Sequence, residues 1–242
     1  MELQRRNRLK LDSAQSFQTP FHRKANRLEE SMTDDETSVH PKRARGQRKT
    51  QDPCPGCQMH RTRCFCDLIL RLDLKTRLSL IIHRKELRRT TNTGQLAVKA
   101  LVNSEMLVRG ELSDVTNRLD LRHCLNPDYQ SVLFFPSETA IELNQEFVRA
   151  QSRPIQLIVP DGNWRQASKV AIRHPEIAHL PRVMIRAQNS DQHRLRAETT
   201  PEGMATLQAI AHALGIIEGD AVRNALLELY HHKLHRTIES RG

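Results

Sequence analysis

Four of the chain's five cysteines, Cys54, Cys57, Cys64 and Cys66, fall in one short stretch, CPGCQMHRTRCFC. Four thiolates at C-x2-C-x6-C-x-C spacing can close around one tetrahedral zinc ion. Pro55 and Gly56 suit the tight turn that such a knuckle needs. With all four positions supplied by protein, no ligand place is left for a water, so the site reads as structural, not catalytic. The competing reading is a group of unliganded thiols. Between the cysteines, His60, Arg61 and Arg63 could face a phosphate backbone. Cys124 stands apart and reads as a free, packed thiol.

A second constellation is VPDGNWRQASKV, residues 159–170, which carries the only tryptophan, Trp164. It follows the apolar run PIQLIV and precedes a helical pattern. Asp161 therefore sits where a strand ends, and Gly162 permits a close backbone approach or a positive φ. Two readings stand side by side. In one, Asp161 or Asn163 caps the helix and Trp164 anchors the core. In the other, the carboxylate and the indole face a ligand. A cap can also line a pocket, so residue types alone do not separate them.

Further polar clusters are HRKELRRTTNTGQLA, with His83, Glu86, Arg88, Arg89, Asn92 and Thr93, and DQHRLRAETT, with Arg194 and Arg196. The free amides of a helix entry at TNTG can hold a carboxylate or phosphate, and the arginines can reach RNA phosphate. Both clusters also read as an ordinary cap and ordinary surface charge. The chain has no G-x-G-x-x-G after a strand, no P-loop and no H-E-x-x-H, which disfavours a nucleotide-hydrolysing or zincin chemistry. No nucleophile elbow is visible.

The elements that must position these residues follow from periodicity. Strands are expected at 77–83, 131–136, 154–160 and 182–187. Helices are expected at 93–106, 139–148, 163–174, 201–217 and 220–237. Short apolar runs alternating with helices indicate an α/β fold with a largely parallel sheet, whose ligands bind at the carboxyl ends of strands. Both FFPSET and VPDGNW lie at such ends. The 242 residues divide into a polar tail expected to be disordered (1–52), a knuckle (53–67) and an α/β domain (68–242). Net charge is +10 and hydrophobic content is 38%, so polyanionic partners are expected and part of the chain should lie outside the core. No apolar run reaches membrane-spanning length and MELQRRNRLKLDSAQSF lacks a signal-peptide core, so a cytoplasmic protein without a membrane partner is expected.

Taken in order, the cysteine array, H-x2-E with TNTG-x-L, LFFPS, DGNW-x-QA-x-K, LPRV, HRLR and TLQAIA resemble the DTW-domain tRNA-uridine aminocarboxypropyltransferases, from about Cys54 onward. The resemblance implies a SPOUT-like sheet with a C-terminal trefoil knot. It implies transfer of a 3-amino-3-carboxypropyl group from S-adenosylmethionine to N3 of a uridine in tRNA, releasing 5′-methylthioadenosine. Asp161 and Trp164 would be catalytic. Phe135, Pro136, Ser137, Gly162, Asn92, Thr93 and Leu207 would form the donor cleft. Arg61, Arg63, Arg194 and Arg196 would hold tRNA, and zinc would be structural, in a monomer or homodimer. Four positions depart from the family pattern: Asn163 for threonine, His193 for tyrosine, and Ala205 and Gln208 where serine and glutamate are usual. Two other classes remain in view, a non-catalytic zinc-knuckle RNA-binding protein and a SAM-dependent RNA methyltransferase.

Overall fold

The computed structural model describes residues 52–110, 119–187, 189, 191, 193–195 and 203–241. The expected tail, apart from Asp52, and Arg196 lie outside these residues. Six strands form one parallel sheet: β1 (Arg77–His83), β2 (Ser104–Arg109), β3 (Gln130–Phe134), β4 (Ile141–Glu142), β5 (Ile155–Asp161) and β6 (Arg182–Met184). Their order is β2-β1-β5-β3-β6-β4. All seven residues of β5 are buried, as are the five central residues of β1. That is why RLSLIIH and IQLIVPD read as continuous apolar runs without alternation: each strand is covered on both faces.

Two cores flank the sheet. On one face Leu78, Leu80 and Ile82 of β1 meet Leu157 and Val159 of β5. This core is covered by α1 (Gly94–Ala100), α6 (Thr206–Glu218) and α7 (Asp220–Glu239). On the other face Ile81, Leu133 and Ile158 pack against Leu121 and Cys124. Val170, Ala171 and Ile177 close that side, from the short helices α4 (Val170–Arg173) and α5 (Pro175–Ala178). Cys124 is 2% exposed and its thiol donates to the Leu121 carbonyl at 3.0 Å, so it is the packed thiol expected of it.

Three expected helices are cut short. The run 93–106 is helical only to Ala100. The Ser104 hydroxyl donates to the Val98 and Leu101 carbonyls, and Asn103 bonds to Tyr129, so the chain turns into β2. The run 139–148 divides into β4 and α2 (Gln145–Arg149), because the Asn144 side chain caps a new helix by accepting from the Phe147 amide at 2.8 Å. The run 163–174 breaks into α3 (Trp164–Ala167) and α4, with α5 starting at Pro175. Both closing helices form, but α6 starts at Thr206 and not at 201, because Ala205 is extended and caps it. Glu218 at the end of α6 accepts from the Thr76 amide at 2.7 Å and its hydroxyl at 2.5 Å, tying the helix to the start of β1.

Candidate functional site

Asp161 ends β5 and is 1% exposed. Its Oδ2 accepts from the Asn92 amide nitrogen at 2.6 Å and its Oδ1 from the Thr206 hydroxyl at 2.6 Å. Asn92 and Thr93 lead into α1, and Thr206 opens α6, so one carboxylate joins the starts of two helices to the end of a central strand. The hub is cross-tied. Thr93 Oγ1 accepts from the Leu207 amide at 3.1 Å, and the Asn92 side-chain oxygen accepts from the Gln95 amide at 3.2 Å. Gly94 lets this happen: a Cβ there would stand 2.8 Å from Asp161 Oδ2 and 3.0 Å from its Cγ. Of the expected site residues, Asp161, Asn92, Thr93 and Leu207 are thus together, and all are enclosed.

The bend after β5 turns the next residues the other way. Gly162 has φ +155°, and a Cβ on it would meet Gln166 Oε1 at 2.8 Å. Asn163 caps α3: its side-chain oxygen accepts from the Gln166 amide at 2.9 Å, while Gln166 Oε1 accepts from the Asn163 amide at 2.9 Å. This reciprocal box is what a short polar side chain at position 163 supplies. Trp164, next in line, is 55% exposed and packs on Phe135, with ring centroids 4.9 Å apart. The indole is therefore not a core anchor. It stands with Phe135 on the face opposite Asp161, since Phe135 packs into the smaller core. Ser137, two residues on, has its hydroxyl 3.5 Å from that of Thr139.

The four cysteine sulfurs lie within 4.8 Å of one another, and none is in a disulfide. Sulfur–sulfur separations of 3.4 Å (Cys54–Cys64), 3.6 Å (Cys54–Cys66) and 3.8 Å (Cys57–Cys64) compare with about 3.8 Å for the edge of a tetrahedron with ~2.3 Å zinc–sulfur bonds. The donor set fits a structural zinc ion. The amide of Cys57 points at the Cys54 sulfur and pulls that thiol down to about 6, ready to bind as thiolate.

The knuckle is also part of the larger core, through Cys57, Met59 and Phe65. From α7 the wholly buried Lys233 donates to the Cys57 carbonyl at 2.5 Å. Burial pulls its ammonium down to about 8, against the opposing pull of the Cys57, Cys66 and Cys54 thiols. Among the described residues no carboxylate forms an ion pair with it.

The arginines expected to hold RNA are partly engaged. Arg61 pairs with Asp52 at 2.8 Å. Arg63 donates to the Glu239 carbonyl at 3.2 Å, at the end of α7. The backbone carbonyl of Arg194 accepts from Arg241 at 3.5 Å.

Residue types alone did not flag Thr206, Gly94, Arg109 or Lys233. Lys233 had a signal, because it shares a helical face with Leu226, Leu229 and Tyr230 and breaks an otherwise apolar stripe. Gln208 is explained by its neighbours. Its oxygen accepts from the Ala205 amide at 3.0 Å, and its amide nitrogen donates to Asp191 Oδ2 at 2.5 Å. Asp191 in turn lies 3.3 Å from His231. A glutamate could fill the first contact only and would set two carboxylates against each other. Gln208→Glu is expected to lower the melting temperature at neutral pH, with the loss shrinking as pH falls into the carboxylate range. Asp191→Asn should restore it, as scanning calorimetry of the single and double variants would show. An unaltered Gln208→Glu melting curve would mean that the contact has no weight.

The DTW domain profile matches residues 51–238. Among curated proteins the chain is 23% identical to tRNA-uridine aminocarboxypropyltransferase 2 of Macaca fascicularis, over 70% of this chain and 58% of that protein. It is 23% identical to the Drosophila melanogaster protein of the same name, over 69% of this chain and 67% of that one. For the Mus musculus protein, also of that name, the identity is 24% over 72% and 59%. The chain thus spans about three fifths of the mammalian relatives it matches. No solved structure matches it significantly. No helix among the described residues is long and apolar enough to cross a membrane.

Proposed function

The chain belongs to the DTW-domain family, and from that premise we propose that it transfers the 3-amino-3-carboxypropyl group of S-adenosylmethionine to N3 of a uridine in tRNA, with release of 5′-methylthioadenosine. The names of its relatives support the substrate and the reaction. The observation that carries the reading is the bend at 161–164. It holds a buried carboxylate that accepts two hydrogen bonds at the carboxyl end of a central strand and, three residues on, presents an indole to solvent over Phe135 on the other face of the sheet.

Uridine N3 must lose a proton before it can attack, which calls for a base or for stabilisation of the anion. Asp161 could serve directly or by orienting another group. Its enclosure favours the second. Because Thr206 donates its proton to Asp161, the lone pairs of that hydroxyl are free to accept another. Attack must be in line with the sulfur–carbon bond of the group transferred, so selection among the three carbons of the sulfonium is geometric. Trp164 and Phe135, with the backbone of Pro136 and Ser137, form a wall on the opposite face of the sheet, where a base flanking the target uridine can pack. Asn92, Thr93 and Leu207 fix the starts of α1 and α6 behind it. Cys54, Cys57, Cys64 and Cys66 would hold zinc, which when bound fastens the knuckle to the core.

The parallel sheet, with β5 and β6 inserted between strands made earlier in the chain, is compatible with the SPOUT-like, knotted arrangement that the family resemblance implies. The division into tail, knuckle and α/β domain, the cytoplasmic location and a monomer or homodimer belong to the same reading. Nucleoside mass spectrometry of tRNA from cells with and without the protein tests it. The expected result is loss of an aminocarboxypropyluridine and, with purified components, appearance of 5′-methylthioadenosine. Unchanged tRNA would point to a non-catalytic RNA-binding protein, and S-adenosylhomocysteine to methyl transfer.

A further inference from the structure

The carboxyl ends of β1 and β2 carry a basic cluster outside the expected site. His83 ends β1 and Arg109 ends β2, as direct cross-strand partners. Both stand on the face of Ile81 and Leu107, the same side of the sheet as Phe135. Arg109 is 5% exposed; its Nη2 donates to the Gln166 carbonyl in α3, and its buried Nε has no partner. Gly110, at φ +81°, passes so close to His83 that a Cβ would lie 3.0 Å from Nε2. His83 Nδ1 accepts from the Lys85 amide at 3.1 Å, which leaves the proton on Nε2. Burial, then Arg109, Lys85, Arg84 and Arg173, lower the His83 pKa, so the ring is a neutral donor amid cations. Among the described residues no carboxylate pairs with Arg84, Lys85, Arg109 or Arg173.

A guanidinium out of water with an unmet donor is costly unless an anion meets it. We propose that Arg109, Arg173 and His83 form an oxyanion pocket that grips a backbone phosphate of the RNA, next to the nucleotide that stacks on Trp164. The phosphate is favoured because α3 links the two features: Trp164 opens it and the Gln166 carbonyl takes the Arg109 bond. A stacking platform beside a cationic notch matches an extended single strand. The inference rests on RNA being the substrate. The same chemistry would also suit the carboxylate of the donor, and the test separates the two.

Arg173 is exposed, so Arg173→Gln should leave the fold intact, whereas Arg109→Lys keeps the charge but loses the planar fork. Both variants are measured against wild type for tRNA binding across a salt series, for S-adenosylmethionine binding by calorimetry, and for melting temperature. Each is expected to bind tRNA roughly tenfold more weakly at low salt, the worth of one charge-assisted contact. For Arg173→Gln the slope of log affinity against log salt should become shallower by about 0.7 with the melting temperature unchanged, whereas Arg109→Lys keeps its charge and so keeps the slope; donor affinity is unchanged in both. Wild-type tRNA affinity and slope in a folded Arg173→Gln variant, together with wild-type affinity in a folded Arg109→Lys variant, would overturn the pocket. So would loss of donor affinity with tRNA binding intact, which would assign the pocket to the donor's carboxylate. If wild-type protein binds tRNA through these residues yet yields no aminocarboxypropyluridine, the pocket stands and the proposed reaction fails.

Discussion

Replacing Cys57 by serine is expected to loosen far more than the knuckle. Cys57 is 1% exposed and belongs to the same core as Leu214, Leu229 and Tyr230. Its sulfur is one of four that fit a tetrahedral ion, and its carbonyl receives Lys233. Four thiolates on a divalent cation carry two net negative charges, and Lys233 is the buried positive group set beside them. Loss of the metal would leave at most the Cys54 thiolate to face the buried ammonium in place of two net negative charges, and an undercompensated buried charge costs up to about 3–5 kcal/mol. At roughly 2–4 °C per kcal/mol for a chain of this size, the melting temperature should fall by up to about 6–20 °C, with metal content dropping towards zero. Scanning calorimetry with elemental analysis of the same samples is the check. A variant that keeps its zinc, or loses it without a change in melting, would remove the metal from the account of stability. Lys233→Met sharpens the comparison: it should cost stability in the metal-loaded protein and restore some in the stripped one.

The second large effect is expected at Asp161. Asp161→Ala strands the Asn92 amide and the Thr206 hydroxyl inside the hub. With about 1–3 kcal/mol for each buried group left unpaired, a loss of roughly 2–6 kcal/mol follows. Alanine therefore confounds stability with chemistry. Asp161→Asn keeps the volume and one acceptor but removes the charge. It is expected to stay folded and to lose about 10²–10⁴ in turnover, the range for a general acid–base contribution, with little change in the KM for tRNA. Thr206→Val should lose turnover likewise, and Thr206→Ser should retain most of it. Wild-type turnover in Asp161→Asn would dismiss the carboxylate from the reaction. Full activity in Thr206→Val would return the role of base to Asp161 itself.

The parts of the fold that were legible in the sequence share a physical cause. β1 and β5 are buried on both faces, so their apolar runs are unbroken and flanked by turn residues. α6 and α7 are long and one-sided. The cysteine array is local, so its spacing alone reveals the geometry. β2 was hidden because SEMLVR continues a plausible helical stripe, and only Ser104 and Asn103, bonding to carbonyls around them, stop the helix. The Asp161 hub was half visible. Asn92 and Thr93 sit at a recognisable helix entry, but Thr206 reaches Asp161 across 45 positions, and no local pattern encodes that meeting. Trp164 was ambiguous in residue type, and its exposure was decided by the capped turn at Asn163. Arg109 gave no signal at all, because one arginine at the end of a strand resembles any surface arginine until the packing of α3 buries it.

The contact between Lys233 and Cys57 joins positions 176 residues apart. During synthesis at about 5–20 residues per second, the thiolates would leave the ribosome roughly 9–35 s before the lysine that seals them. For that interval the nascent knuckle could take up its ion while still open on one side, and the last helix would then dock as a lid on a loaded site. The order of events would make ion supply a checkpoint on the closing step of maturation.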